Sequence, residues 1–243
     1  MGEAAGARTA ELAAGVARVR GRIAAACAAA GRDPDEVTLV AVTKTYPVDD
    51  VLRLIDLGVH DIGENRDQEA VPKAAAVAAA GVLVRWHFVG QLQRNKCRSV
   101  VRYADLVHSV DGVRLAHTLA GAAWRYRDRP LDVLVQVSID DDPERGGAAL
   151  DEGGDRDLDR VAEAVAAADS LRLRGVMAVA PLTWEPDAAF ARLADLAGRV
   201  RAVEPGATLV SAGMSEDLEA AIAHGATHVR VGSALLGKRG PLR

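Results

Sequence analysis

Thr38-Leu39-Val40-Ala41-Val42-Thr43-Lys44-Thr45-Tyr46-Pro47 is the stretch on which the fold turns. Its apolar, β-branched part reads as a strand over Leu39–Thr43. Side chains alternate along a strand. Val40, Val42 and Lys44 therefore share one face, and Leu39, Ala41 and Thr43 share the other. Lys44 closes the run. If both faces are buried, its amine is expected in apolar surroundings, where desolvation disfavours the ammonium and leaves a nucleophile for carbonyls. The turn that follows decides the architecture. An open doubly wound sheet carries a glycine-rich phosphate turn after its first strand. Lys44-Thr45-Tyr46-Pro47 holds no glycine, which favours a closed (β/α)8 TIM barrel.

Outward from that stretch the chain keeps a regular beat. Further apolar runs lie at Val59–Gly63, Trp86–Val89, Leu106–Val110, Val133–Ile139, Leu173–Val179, Thr208–Ser211 and His228–Gly232. A helical pattern follows each strand: Val48–Leu57, Asp67–Ala79, Arg94–Tyr103, Val113–Tyr126, Asp155–Ala168, Asp187–Val203, Glu216–His224 and a last turn after Ala234. Strand alternating with helix means βαβ units and a parallel sheet, and eight such beats fit a barrel. Ahead of them Leu12, Val16, Val19, Ile23 and Cys27 step by three and four, the apolar stripe of a leading helix that Gly31 and Pro34 end. The expected organisation is a single domain over 1–243, with the leading helix in 1–33 and the barrel over 38–236. The acidic, glycine-rich stretch 140–157 reads as a mobile loop after the fifth strand.

Composition narrows the function. A formal net charge of −4 gives no field for nucleic acid. Cys27 and Cys97, far apart in helical patterns, suggest neither a disulfide framework nor zinc spacing, so a reducing, cytoplasmic setting is expected. No basic region followed by an apolar core opens the chain, and no uncharged apolar stretch is long enough for a bilayer.

In such a barrel the active site lies at the carboxyl ends of the strands. Those ends are polar here: Lys44, Gly63-Glu64-Asn65-Arg66, Gly90 to Lys96, His108 to Asp111, Ser211 to Ser215, and Gly232-Ser233. Gly213 lets backbone approach a ligand. Ser215 reads as the N-cap of a helix beginning near Glu216, a start that suits a phosphate and is also an ordinary cap. Phosphate sites in barrels often use the loops after strands seven and eight, and Gly232-Ser233 supplies the second of these. Arg230 shares the inner face with His228 and Gly232. Its buried charge calls for a salt bridge or a ligand acceptor. His87, between Trp86 and Phe88, reads as a core histidine satisfied by a neighbour, and Gln91 to Lys96 as a solvated polar loop.

The segments from Leu39 nearly to the carboxyl terminus resemble the pyridoxal phosphate homeostasis protein family. The matching stretches are Leu39–Thr45, Gly63-Glu64-Asn65, Trp86–Gly90 with Leu92-Gln93 and Asn95-Lys96, Arg174–Ala178, Gly213–Ile222 and Val229–Gly237. The chain departs from the pattern at Arg66, at Gln91 and at Arg145-Gly146-Gly147. The resemblance implies the racemase-type barrel without its extra β-domain. It implies that Lys44 holds pyridoxal 5′-phosphate as an imine. Met214, Ser215, Gly232 and Ser233 would contact the phosphate with Ser211 nearby, Arg230 would face the pyridine nitrogen, and Asn65 would line the pocket. It also implies a role in intracellular pyridoxal phosphate homeostasis and delivery, without catalytic turnover.

Three readings follow. The first is a monomeric cofactor carrier with apo-enzymes as acceptors and no membrane or nucleic-acid partner. The second is an amino-acid racemase or decarboxylase on the same barrel. Racemisation needs a base on each face of the α-carbon. In racemases the second is a tyrosine from an additional domain, for which the few residues after Gly232 leave no room. The third is a barrel that binds another phosphorylated metabolite without an imine.

Overall fold

Each apolar run becomes one stave of a closed barrel. The computed structural model describes residues 2–142, 146–150 and 153–237. Its parallel strands pair in chain order around the ring: β1 (Thr38–Val42), β2 (Asp61–Glu64), β3 (Arg85–Phe88), β4 (Leu106–Val110), β5 (Leu131–Gln136), β6 (Leu171–Met177), β7 (Leu209–Ser211) and β8 (His228–Val231). The ring closes where Thr38–Ala41 of β1 pair with His228–Val231 of β8. Around it lie α1 (Gly2–Ala29), α2 (Val48–Asp56), α3 (Asp67–Ala79), α4 (Cys97–Val100), α5 (Val113–Tyr126), α6 (Leu158–Ala166), α7 (Pro186–Val203), α8 (Leu218–Ala223) and α9 (Ser233–Leu236). Among the described residues no helix is long and apolar enough to cross a membrane.

The core follows the alternation. Outward-facing Val229 and Val231 meet Leu12, Val16, Val19, Ile23 and Cys27 of α1, together with Leu218, Ile222 and Leu235. Burying each such side chain is worth about 1.5–3 kcal/mol. Gly15 permits the closest approach, because a Cβ there would lie 2.2 Å from the Leu235 carbonyl oxygen. The barrel interior holds a small apolar layer, Leu106, Leu134 and Met177. It also holds the buried polar residues His87, His108, Ser211, His228 and Arg230.

Four details differ from the sequence reading. β1 ends at Val42, so Lys44 sits in the turn beyond the strand, followed by Thr45 in the left-handed region at φ 68°. The helix expected over Arg94–Tyr103 is a 3-10 turn, Arg94–Lys96, and then the short α4. The helix expected from Asp155 begins at Leu158, where the Asp157 side chain accepts the Arg160 N–H and sets the N-cap. The stretch after β5 is more than a loop. Ser138 N–H donates to Ala148 O, Ala148 N–H donates to Gln136 O, and Ala149 bridges Asp157. Ala148 itself is buried in the core. Arg145 lies outside the described residues.

Candidate functional site

A cavity of about 840 Å³ opens at the carboxyl ends of the strands. Lys44, Asn65, Met214, Ser215, Arg230, Gly232 and Ser233 all line it. Ser211 does not. It is fully buried beneath Arg230 and reaches the cavity only through that side chain.

Lys44 is half-buried rather than sealed among apolar groups, because it has left the strand. Its amine makes no hydrogen bond or ion pair among the described residues. The backbone on either side is anchored. Lys73 Nζ donates to Thr43 O at 2.8 Å and to Glu64 Oε1 at 2.6 Å, and Thr43 Oγ1 donates to the same carboxylate oxygen at 2.5 Å. Burial pushes the Glu64 carboxyl up, while the bonds from Lys73 and Thr43 pull it back toward the ionised form. On the other side Thr45 N–H donates to Glu69 Oε2 at 2.7 Å. A non-glycine residue in the left-handed region costs on the order of 1 kcal/mol and persists where its surroundings fix it.

Arg230 is 5 % exposed. Nη1 donates to Ser211 O and to Ser211 Oγ, each at 2.7 Å, and Nη2 donates to Ala178 O at 2.8 Å. These partners are all neutral oxygens, and no carboxylate among the described residues forms an ion pair with it. Burial lowers its pKa to about 10, so it remains a cation near neutrality.

The loops after β7 and β8 meet at two hydroxyls. Ser233 Oγ donates to Ser215 Oγ at 3.2 Å, and Ala234 N–H donates to the same oxygen at 3.3 Å. Ser215 thus accepts twice and keeps its own proton to donate. It is not the N-cap expected from the sequence. That place belongs to Asp217, and α8 starts only at Leu218. Asp217 Oδ1 accepts the Met214 N–H at 2.6 Å, so this backbone donor is already engaged. Gly213, at φ 87°, packs where a Cβ would come within 2.7 Å of the Ala221 side chain. Helix α1 braces both loops: Arg22 donates to Ser215 O at 2.8 Å and pairs with Glu219, and Arg18 donates to Ala234 O at 2.7 Å.

At the end of β2, Asn65 lies against Gly90, where a Cβ would meet Asn65 O at 2.1 Å. Asn65 Oδ1 is buried and without a partner among the described residues. Val179, Leu182 and Trp184, from the loop between β6 and α7, form an apolar wall that the sequence reading missed. The signal was present as two large apolar residues in a proline-bounded loop. His87 is satisfied by neighbours as expected: Nε2 lies 2.9 Å from Asp61 Oδ1 and Nδ1 lies 2.9 Å from His108 Nε2.

A closed parallel barrel with a lysine after its first strand, and serine-bearing loops after its last two, defines the racemase class of barrels. Residues 16–240 match the model of the alanine racemase N-terminal domain. The chain belongs to the pyridoxal phosphate homeostasis protein family. The pyridoxal phosphate homeostasis protein of Mycobacterium tuberculosis is 45% identical over 245 residues, covering 96% of this chain and 94% of that protein. That of Escherichia coli is 38% identical over 237 residues, covering 94% of this chain and 97% of its own length. The structure of PipY from Synechococcus elongatus with PLP bound has a TM-score of 0.75 and 30% identity, covering 93% of this chain and 100% of that one.

Proposed function

We propose that the cavity binds pyridoxal 5′-phosphate at Lys44 and that the protein holds the cofactor for intracellular homeostasis and delivery, as a monomer and without turnover. One observation carries the reading: an unpaired amine, a guanidinium lacking a carboxylate partner and a paired-serine cradle share one cavity. The residues fit the group. When bound, it supplies an aldehyde that an amine can engage, a ring nitrogen and a phosphate. Lys44 offers the amine on an anchored turn. Ser215 offers its free hydroxyl proton to an anion, and Ser233 would do so on releasing Ser215, with Gly232 leaving room beside them, and the orphaned Asn65 Oδ1 accepts a donor. Met214 would contribute by contact more than through its N–H, which Asp217 holds.

Arg230 bears on the absence of turnover. Its guanidinium has only protons to give, so a ring nitrogen facing it is kept unprotonated and draws electrons weakly. Racemisation also needs a second base. Tyr46, the tyrosine in the lining, donates its hydroxyl proton to Gly237 O at 2.8 Å and is already engaged.

The test is an absorbance spectrum of the purified protein incubated with pyridoxal 5′-phosphate and freed of unbound cofactor, then borohydride reduction and mass mapping. A visible band that stays with the protein and bleaches, with the adduct on Lys44, is expected. A colourless protein, or an adduct on another lysine, would overturn the reading. Incubation with L-amino acids should give no D-isomer beyond the uncatalysed rate. Sustained conversion would make the chain a racemase.

A further inference from the structure

A row of polar side chains crosses the barrel interior beneath the cavity. Arg230 Nη1 lies 2.7 Å from Ser211 Oγ. Ser211 Oγ lies 2.9 Å from His108 Nδ1, His108 Nε2 lies 2.9 Å from His87 Nδ1, and His87 Nε2 lies 2.9 Å from Asp61 Oδ1. Arg230 lines the cavity at the carboxyl ends of the strands, whereas Asp61 opens β2 at the opposite end. Both rings and the serine are buried.

The direction of every proton follows from the carboxylate end. An ionised carboxylate only accepts, so a neutral His87 carries its proton on Nε2 and donates to Asp61. Its bare Nδ1 then accepts from His108 Nε2–H, and the bare His108 Nδ1 accepts the single proton of Ser211 Oγ. A guanidinium only donates, so Ser211 Oγ accepts from Arg230, which is compatible with that order. A further proton on either ring would occupy a nitrogen that is already an acceptor and break the chain.

We propose that Asp61 is the counter-charge of Arg230, joined to it by this one directed hydrogen-bond chain through His87, His108 and Ser211. Among the described residues Arg230 has no carboxylate at contact, and an unbalanced buried charge is costly. Aligned hydrogen bonds in a low-dielectric interior polarise one another and carry the compensation across. Other charged or titratable groups face the chain: Arg85 near Asp61 and His87, His228 beside both rings, Asp105 near His87, and Asp217 near Arg230. None of them is hydrogen-bonded into it. Burial keeps both rings neutral by lowering their pKa values, as the chain requires. Asp61, His87, His108 and Ser211 are then positioning residues: they set where Arg230 points and how much charge it shows the cavity.

The first test needs no cofactor. In the 15N spectrum of the cofactor-free protein, His87 and His108 should each show a bare Nδ1 and a protonated Nε2, unchanged from about pH 8 to 5. An Nδ1–H tautomer or an imidazolium at either residue overturns the chain. The second test rests on the cofactor reading of the cavity. Asp61→Asn keeps an accepting oxygen and removes the charge. It should weaken pyridoxal 5′-phosphate binding about fivefold or more, the lower range for coupling between separate sites, and shift the visible band. Asp61→Glu should restore part of both. Unchanged affinity and band in a folded Asp61→Asn protein overturn the coupling. Should that variant not fold, the spectrum of the unmodified protein still decides. Failure of the unmodified protein to bind the cofactor sinks the cavity reading instead, while the tautomers continue to test the chain.

Discussion

Arg230 holds three oxygens, Ser211 O, Ser211 Oγ and Ala178 O. Ser211 O also accepts the Ala178 N–H at 3.1 Å and Ser211 Oγ also bonds His108, so Ala178 O is the one that rests on Arg230 among the described residues. Arg230→Met keeps the bulk and strips the donors. Leaving a buried acceptor unpaired costs about 1–3 kcal/mol, so urea unfolding should show a loss of about that size. A loss within experimental noise would mean that the oxygens find water. Glu64 and Lys73 make a second sharp case. Lys73→Met strands a buried carboxylate and should cost about 3–5 kcal/mol, and the double variant Glu64→Leu with Lys73→Met should recover part of that. At this scale the sequence was informative where one residue carries its own argument. Arg230 follows from its place on β8, whereas Lys44 was placed at the right end of the barrel but lies in the turn beyond β1 and not on the strand. Asp61 and His108 did not, because their roles arise across strands, 26 and 21 positions from His87. Ser215 was misread because a serine ahead of acidic residues looks like a cap whether or not the helix starts there.

Among the elements, the glycines at strand contacts are the sensitive points. Gly175 adopts φ 147°, and a Cβ there would lie 1.8 Å from the Leu209 carbonyl oxygen. Gly175→Ala should therefore pry β6 from β7 and lower stability by about 1–3 kcal/mol. Gly121, on α5 with open space around its Cβ position, is the control: Gly121→Ala should stabilise by about 0.4–1 kcal/mol. Thermal melts of the two variants should move in opposite directions. The helices α3 and α5 begin and end where the pattern puts them, at Asp67–Ala79 and Val113–Tyr126. Neither carries a side-chain N-cap among the described residues, and the Val113 and Arg114 N–H groups at the start of α5 donate to the distant Asp155. Strand ends drift by up to a few residues from the sequence reading because they depend on where a neighbour stops pairing. The backbone bridges after β5 were hidden for the same reason: a stretch rich in aspartate and glycine gives no apolar alternation to read.

For the whole molecule, the buried histidines set a pH limit. Burial lowers the pKa values of His87, His108 and His228, the last to about 3. Unfolded, each titrates near its ordinary value of about 6.5. Below that value the unfolded chain binds more protons than the folded one, so stability falls as pH falls, by up to about 1.4 kcal/mol per pH unit per histidine. Asp61 adds to the loss at lower pH. Burial raises its pKa, but the His87 hydrogen bond and nearby positive charge hold it below the ordinary range. Urea midpoints should be level from about pH 8 to 7 and drop steadily below about 6. A midpoint flat down to about pH 5 would mean that the rings are already charged in the folded state.

Helix α1 grips both halves of the anion cradle with Arg18 and Arg22, and Arg8 donates to Leu236 O at 3.1 Å. A ribosome therefore makes the brace long before it makes what is braced. On the proposed reading, until β8 and α9 have emerged the chain has the Lys44 amine but not the complete seat for an anion beside it. A nascent polypeptide stalled short of that point would meet a reactive aldehyde with a bare lysine and nothing to retain the catch.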